Sequence, residues 1–69
     1  MQELLEKLKN SSVTYSSDYF EVRELETNGE KYRLVKQFAG SGKQKRQLPL
    51  RVERLDAAQK RWICVWEEK

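Results

Sequence analysis

The sequence contains no histidine, a single cysteine at Cys64, one proline and only three glycines. One cysteine excludes an intramolecular disulfide framework, and without histidine a structural zinc site has almost no ligands to draw on. A reducing compartment fits this usage best. Residues 1–20 hold no apolar run longer than a pair, so we expect neither a signal peptide nor a membrane span. The sequence therefore predicts a cytoplasmic protein with no metal, no cofactor and no membrane partner.

Charge is abundant and unevenly distributed. Charged residues make up 36% of the chain and hydrophobic residues 38%, which is polar but not typical of a disordered protein. Residues 1–30 carry three basic and seven acidic side chains, whereas residues 31–69 carry eleven basic and four acidic ones. The basic second half favours an anionic partner, either a nucleic acid or an acidic protein surface. A sheet that interleaves the two halves would cancel this asymmetry.

The first predicted element is a short helix over residues 2–10, within a single domain of residues 1–69. Leu4, Leu5 and Leu8 share one helical stripe, and Glu3 precedes Lys7 by four residues. A helix of this length does not persist alone in water. We therefore expect its leucines to pack on a sheet, in a core that is small because the chain has only 69 residues.

The strongest local signal is a hairpin, in which the loop pair Asn28 and Gly29 separates two runs, YFEVRELE and KYRLVKQF. The implied register sets three opposite-charge pairs across the ladder: Glu26 and Lys31, Glu24 and Arg33, Glu21 and Lys36. The predicted core face holds Tyr19, Leu25, Tyr32, Leu34 and Phe38, and the other face holds Phe20, Val22 and Val35. An alternative remains, because Asp18 and Glu21 resemble a helix capping box and residues 19–27 would then be helical.

The C-terminal part predicts a second hairpin, formed by QLPLRVERL and RWICVWE with a five-residue loop over residues 56–60. This register pairs Arg54 with Trp62, Val52 with Cys64, and Leu50 with Trp66. Both tryptophans then share one face. The predicted fold class is α+β, with a short N-terminal helix followed by a four-stranded antiparallel sheet built from two hairpins.

The loop between the two hairpins reads AGSGKQKRQLP and admits three interpretations. A phosphate-binding P-loop needs GxxxxGK followed by Ser or Thr, but Gln37 and Gln44 stand at the first and last of those positions. A flexible arm with Lys43, Lys45 and Arg46 is compatible with phosphate contacts. A solvated turn whose lysines protect a sheet edge is equally compatible.

Candidate binding residues are basic side chains from residue 43 onward together with the two tryptophans. Exposed on one face, Trp62 and Trp66 would form a platform for base stacking, whereas buried they would be core. The predicted nucleic-acid-binding residues are Lys43, Lys45, Arg46, Arg51, Arg54, Arg61, Trp62 and Trp66.

Enzymatic catalysis has little support in the sequence, because Cys64 has no histidine to activate it and lies in an apolar context. We therefore expect a binding protein and not an enzyme. The first hypothesis is a small basic module that binds DNA or RNA without strong sequence preference. The alternative is a protein-interaction module, a regulator or inhibitor of a larger protein complex, which docks on an acidic surface or through an apolar patch.

Overall fold

The computed structural model describes residues 1–69. Helix α1 spans Gln2–Lys9 and is followed by six strands and one short 3-10 turn, Gly42–Gln44. The strands are β1 Val13–Ser16, β2 Phe20–Thr27, β3 Glu30–Ala39, β4 Arg46–Gln47, β5 Arg51–Asp56 and β6 Arg61–Glu67. They form one antiparallel sheet in the order β1-β2-β3-β5-β6, and β4 pairs with the C-terminal end of β3. The predicted combination of one N-terminal helix and an antiparallel sheet is confirmed. The predicted number of four strands is wrong, because the sequence analysis did not identify β1 and β4.

Helix α1 ends one residue before the predicted boundary, because polar side chains satisfy its last carbonyls. The side-chain amide of Asn10 donates to the Glu6 carbonyl at 3.1 Å, and the Ser11 hydroxyl donates to the Leu8 carbonyl at 2.6 Å. Leu8 is fully buried, and Leu4 and Leu5 pack against the same core. The expected docking of the helix on the sheet is confirmed.

The first hairpin has the predicted register along its whole length, from Thr27 opposite Glu30 to Glu21 opposite Lys36. Asn28 and Gly29 both have positive φ, 52° and 76°, as a type I′ turn requires. The helical alternative for residues 19–27 is wrong. The ion pairs differ from the expected ones, however, because Lys31 contacts Glu24 diagonally at 3.4 Å.

The second hairpin departs from the predicted register at two points. Asp56 accepts backbone hydrogen bonds from Ala58 and Gln59, which makes it the last strand residue and shortens the loop to residues 57–60. Arg61 therefore lies opposite Asp56, one position from the expected register. A bulge then shifts the ladder again between Val52 and Glu53. The predicted pairing of Arg54 with Trp62 is wrong, and so are the pairings built on it.

The two missed strands are short and are fixed by neighbouring structure. Strand β1 pairs with β2. In the turn between them, the Ser17 hydroxyl accepts hydrogen bonds from the backbone N–H groups of Tyr19 and Phe20. Strand β4 lies on the same side of β3 as β5, and Pro49 sits between the two. Because proline has no N–H to donate to a ladder, the β3 edge is covered by two separate strands.

The sheet has one covered face and one open face. Helix α1 packs on the covered face, whose buried cluster comprises Leu8, Leu34, Leu50 and Val52, with Leu25, Tyr32 and Trp66 partly buried against it. The predicted core face is therefore confirmed for Leu25, Tyr32 and Leu34, whereas Tyr19 is exposed. No helix lies on the open face, which carries the alternate residues of each strand. No helix in this structure is long and apolar enough to cross a membrane.

Candidate functional site

The loop that contains Lys43, Lys45 and Arg46 is a folded turn at one end of the sheet. Its backbone closes through hydrogen bonds from Gln44 to Ser41, at 3.0 Å, and from Lys45 to Gly42, at 3.3 Å. Gly40 is required here, because its φ is +87° and a Cβ would lie 2.5 Å from the Gln44 carbonyl oxygen. The segment that the sequence presented as either a flexible arm or a solvated turn forms a hydrogen-bonded turn.

The three cations of this turn are exposed, and none of them forms an ion pair. The Lys45 ammonium lies 5.0 Å from the centre of the Phe38 ring, which holds one of the charges near the end of β3. We define Lys43, Lys45 and Arg46 as the basic turn. It is a compact group of three positive charges.

The other predicted basic residues do not extend the basic turn into a single patch. Arg51 and Arg61 lie at opposite ends of the β5–β6 pair, five residues apart along the ladder, or roughly 17 Å. Arg54 is on the covered face, opposite Tyr32, whereas Arg51 is on the open face, opposite Val35. Arg51 and Arg61, both predicted nucleic-acid-binding residues, therefore do not lie in one cluster.

Arg54 is occupied by an ion pair near the tip of the first hairpin. Its Nη1 lies 3.2 Å from Glu30 Oε1, and the Tyr32 hydroxyl donates to Glu30 Oε2 at 2.6 Å. The tyrosine hydrogen bond is the main cause of a lowered pKa for Glu30, and Arg54 lowers it further. The same bond raises the pKa of Tyr32. Arg54 is therefore engaged in an ion pair at the protein surface, where both side chains remain partly exposed.

The two tryptophans lie on opposite faces of the sheet, so the predicted shared platform is wrong. Trp62 is opposite Leu55 on the open face, and Trp66 is opposite Val52 on the covered face. The bulge between them causes the difference, because one extra residue reverses the alternation of side chains. Trp66 packs against the core. Trp62 is left as the only tryptophan on the open face.

The centre of the open face is an ion-pair cluster that the sequence did not indicate. Glu53 receives a hydrogen bond from Arg33 Nε, and its second carboxylate oxygen lies 3.6 Å from Arg51 Nε. The Arg33 guanidinium in turn lies over the Trp62 ring, 4.3 Å from its centre. We call these four residues, Arg33, Arg51, Glu53 and Trp62, the arginine cluster.

Arg33 and Glu53 were missed as candidate site residues because they are partners across β3 and β5, strands from different predicted hairpins. The sequence alone placed Arg33 opposite Glu24, within its own hairpin. Only the adjacency of β3 and β5 offers Arg33 the better partner. A search for opposite charges between the two hairpins would have been the one available signal.

Apolar side chains extend the open face beyond the arginine cluster. Phe20 is 36% exposed, Val22 is half-buried, and Val35 is covered by its neighbours. The expected patch of Phe20, Val22 and Val35 is therefore present only in part. It lies beside the edge strand β1, where Tyr15, opposite Val22, is also exposed.

The open face is close to neutral in total. Register places four cations on it, Lys31, Arg33, Arg46 and Arg51, and four carboxylates, Glu24, Glu26, Glu53 and Glu67, a net charge of zero. The sheet therefore interleaves the acidic and basic halves of the sequence. No group of three or more His, Cys, Asp or Glu residues is arranged to hold a metal ion.

Comparison with known proteins adds no relative to this description. No family model, no curated protein and no solved structure matches the chain. Two surfaces of the chain are candidate binding sites: the open face with its arginine cluster, and the basic turn.

Proposed function

We propose that this chain is a protein-interaction module that binds a larger protein through its open face, as a regulator or inhibitor of that partner. The observation that carries the proposal is the arginine cluster at the centre of an uncovered sheet face, with Phe20 and Val22 beside it. Tryptophan and other aromatic residues, together with arginine, are typical of protein-binding hot spots when they lie at the centre of a surface. A net charge near zero also suits a protein partner.

Nucleic-acid binding across the sheet has less support. A phosphate backbone requires several cations along one surface, but Arg51 and Arg54 lie on opposite faces, and Arg61 lies at the other end of the β5–β6 pair from Arg51. Stacking of successive bases requires aromatic rings on one face, and the tryptophans are on opposite faces. The four carboxylates of the open face would also repel a polyanion.

The basic turn favours nucleic-acid binding as a second candidate function. Lys43, Lys45 and Arg46 are exposed, close together in sequence and free of ion pairs. Backbone contacts from three such cations would be weak and independent of base sequence. This candidate places the site at the end of the sheet where β4 pairs with β3, away from the arginine cluster.

A binding comparison with two matched variants separates the candidates. The open-face variant combines Phe20→Ala and Trp62→Ala, and the turn variant combines Lys43→Ala and Lys45→Ala. A partner is first cross-linked to the wild-type protein in nuclease-treated extract, then purified and titrated against each variant. We expect the open-face variant to bind at least about tenfold more weakly, which is about 1.4 kcal/mol, and the turn variant to bind like the wild type. The opposite order would reject the open face.

A parallel titration examines nucleic acids directly. Labelled single-stranded and duplex DNA and RNA are added at two salt concentrations. Micromolar binding that falls log-linearly as salt rises, with a smaller slope for the turn variant, would support the second candidate. Our proposal expects no such binding. Amide spectra of both variants confirm that each one is folded.

A further inference from the structure

The arginine cluster presents two guanidinium groups in a fixed arrangement. Both arginines use Nε to contact Glu53, one oxygen each. The terminal Nη groups of Arg33 and Arg51 have no hydrogen-bond or ion-pair partner in the protein, and none of them is a buried unsatisfied atom. Each guanidinium therefore keeps a free pair of donors that faces solvent.

Glu53 and Trp62 restrict the motion of these arginines. Glu53 is only 8% exposed, so its carboxylate is held among the strands and does not move freely with solvent. Trp62 supports the Arg33 guanidinium from one side through a cation–π contact. Donors that are ordered before binding lose less conformational entropy when a ligand arrives.

The cluster also has an unbalanced charge. Two arginines share one carboxylate, an excess of one positive charge within the cluster, and Glu67 and Glu24 lie across the ladder from Arg51 and Arg33 without forming an ion pair with either. Guanidinium groups bind carboxylates through two parallel hydrogen bonds, and Arg33 and Arg51 each retain Nη donors for such bonds. The local excess of one charge matches a single monoanionic group.

We propose that Arg33 and Arg51 form a clamp for one carboxylate side chain, an Asp or Glu, of the protein partner. This inference rests on the proposed function and names the chemical group that the open face recognises. A nucleic-acid strand is a poorer occupant, because Glu24, Glu26 and Glu67 on the same face would repel its other phosphates. An isolated carboxylate binds the two guanidiniums without placing further negative charges against those three carboxylates.

The test uses a minimal probe and NMR spectroscopy of the intact protein. The probe is the peptide acetyl-Gly-Glu-Gly-amide, and its neutral control is acetyl-Gly-Gln-Gly-amide. We expect the Glu peptide to shift the side-chain resonances of Arg33 and Arg51 and the Trp62 indole, with a Kd on the order of 10 mM. The Gln peptide should not shift them at the same concentration.

Two arginine variants provide the control for non-specific charge. Arg51→Gln should weaken binding of the Glu peptide by about tenfold, whereas Arg54→Gln, on the covered face, should leave it unchanged. Shifts spread over all basic side chains, or binding that survives in Arg51→Gln, would overturn the clamp. Amide spectra exclude unfolding of either variant.

The failure of this inference is distinguishable from failure of the proposed function. If the purified partner still loses affinity for the open-face variant while Arg51→Gln binds it normally, the open face is the docking surface and the clamp is wrong. If the partner is indifferent to the open-face variant, the docking surface itself is wrong.

Discussion

The two faces of this sheet are held together by different forces. The covered face owes its order to apolar burial under helix α1, where Leu8 and Val52 have no exposed surface. The open face combines one buried apolar residue, Val35, with an ion-pair cluster, in which Glu53, the only buried polar residue, joins two arginines. This difference is the basis of our proposal that the covered face stabilises the fold and that the open face recognises a partner.

The largest expected effect is on the covered face. Leu8→Ala removes a fully buried side chain, and we expect it to lower the free energy of unfolding by about 2–5 kcal/mol. That loss is comparable to the whole stability of many small domains. Urea denaturation measures it, with Leu4→Ala as the control because Leu4 is only half-buried. Equal losses for both variants would show that α1 does not dock through Leu8.

The tryptophans allow the sharpest comparison of the two faces. Trp66→Ala should lower the free energy of unfolding by about 2–3 kcal/mol, somewhat less than the loss expected for a fully buried tryptophan. Trp62→Ala should cost about 1 kcal/mol, mainly the cation–π contact with Arg33 and partial burial. Urea denaturation of the two variants gives the difference directly. A greater loss of stability for Trp62→Ala than for Trp66→Ala would contradict the assignment of Trp66 to the covered face.

A smaller effect is expected at the carboxylate of the arginine cluster. Glu53→Gln keeps the shape of the side chain but removes the charge that holds two arginines, so we expect a loss of about 1–2 kcal/mol. Glu26→Gln is the control, since Glu26 is exposed and forms no ion pair. It should change the stability by less than about 0.5 kcal/mol. Identical results for the two variants would mean that the open face is not ordered by Glu53.

The smallest effect concerns pH and the Glu30–Tyr32 hydrogen bond. The lowered pKa of Glu30 means that its contribution is present above about pH 4.3 and is lost as pH falls through the folded pKa. The raised pKa of Tyr32 means that its contribution is present below about pH 10 and is lost as pH rises through the folded pKa. The urea midpoints of wild type and Tyr32→Phe should therefore differ near neutrality and converge at both extremes. A difference that does not vary with pH would contradict this assignment.

The first hairpin was predictable because its information is local. Asn28 and Gly29 specify a two-residue turn, and the turn then fixes every pair from Thr27 and Glu30 outward. The leucines of α1 were equally informative, since their spacing showed which side of the helix needed a partner. Each of these signals lies within a few residues of the structure that it specifies.

The register of the second hairpin was not predictable in the same way, because it depends on two structural features that the sequence pattern does not indicate. The Asp56 side chain shortens the loop by one residue, and the bulge near Glu53 shifts the ladder by another. Each shift moves side chains to the opposite face, so a small error separated Trp62 from Trp66. The arginine cluster depends in addition on the pairing of β3 with β5, which no local pattern in the sequence specifies.

The most direct measurement of the difference between the faces is ionic quenching of fluorescence in two single-tryptophan variants. Trp66→Phe leaves Trp62 as the reporter of the open face, and Trp62→Phe leaves Trp66 as the reporter of the covered face. We predict that iodide quenches Trp62 several times more strongly than caesium does, because the arginine cluster attracts anions, and that Trp66 is quenched weakly by both ions. Equal quenching of the two tryptophans, or no preference for iodide at Trp62, would contradict the assignment of an anion-binding open face.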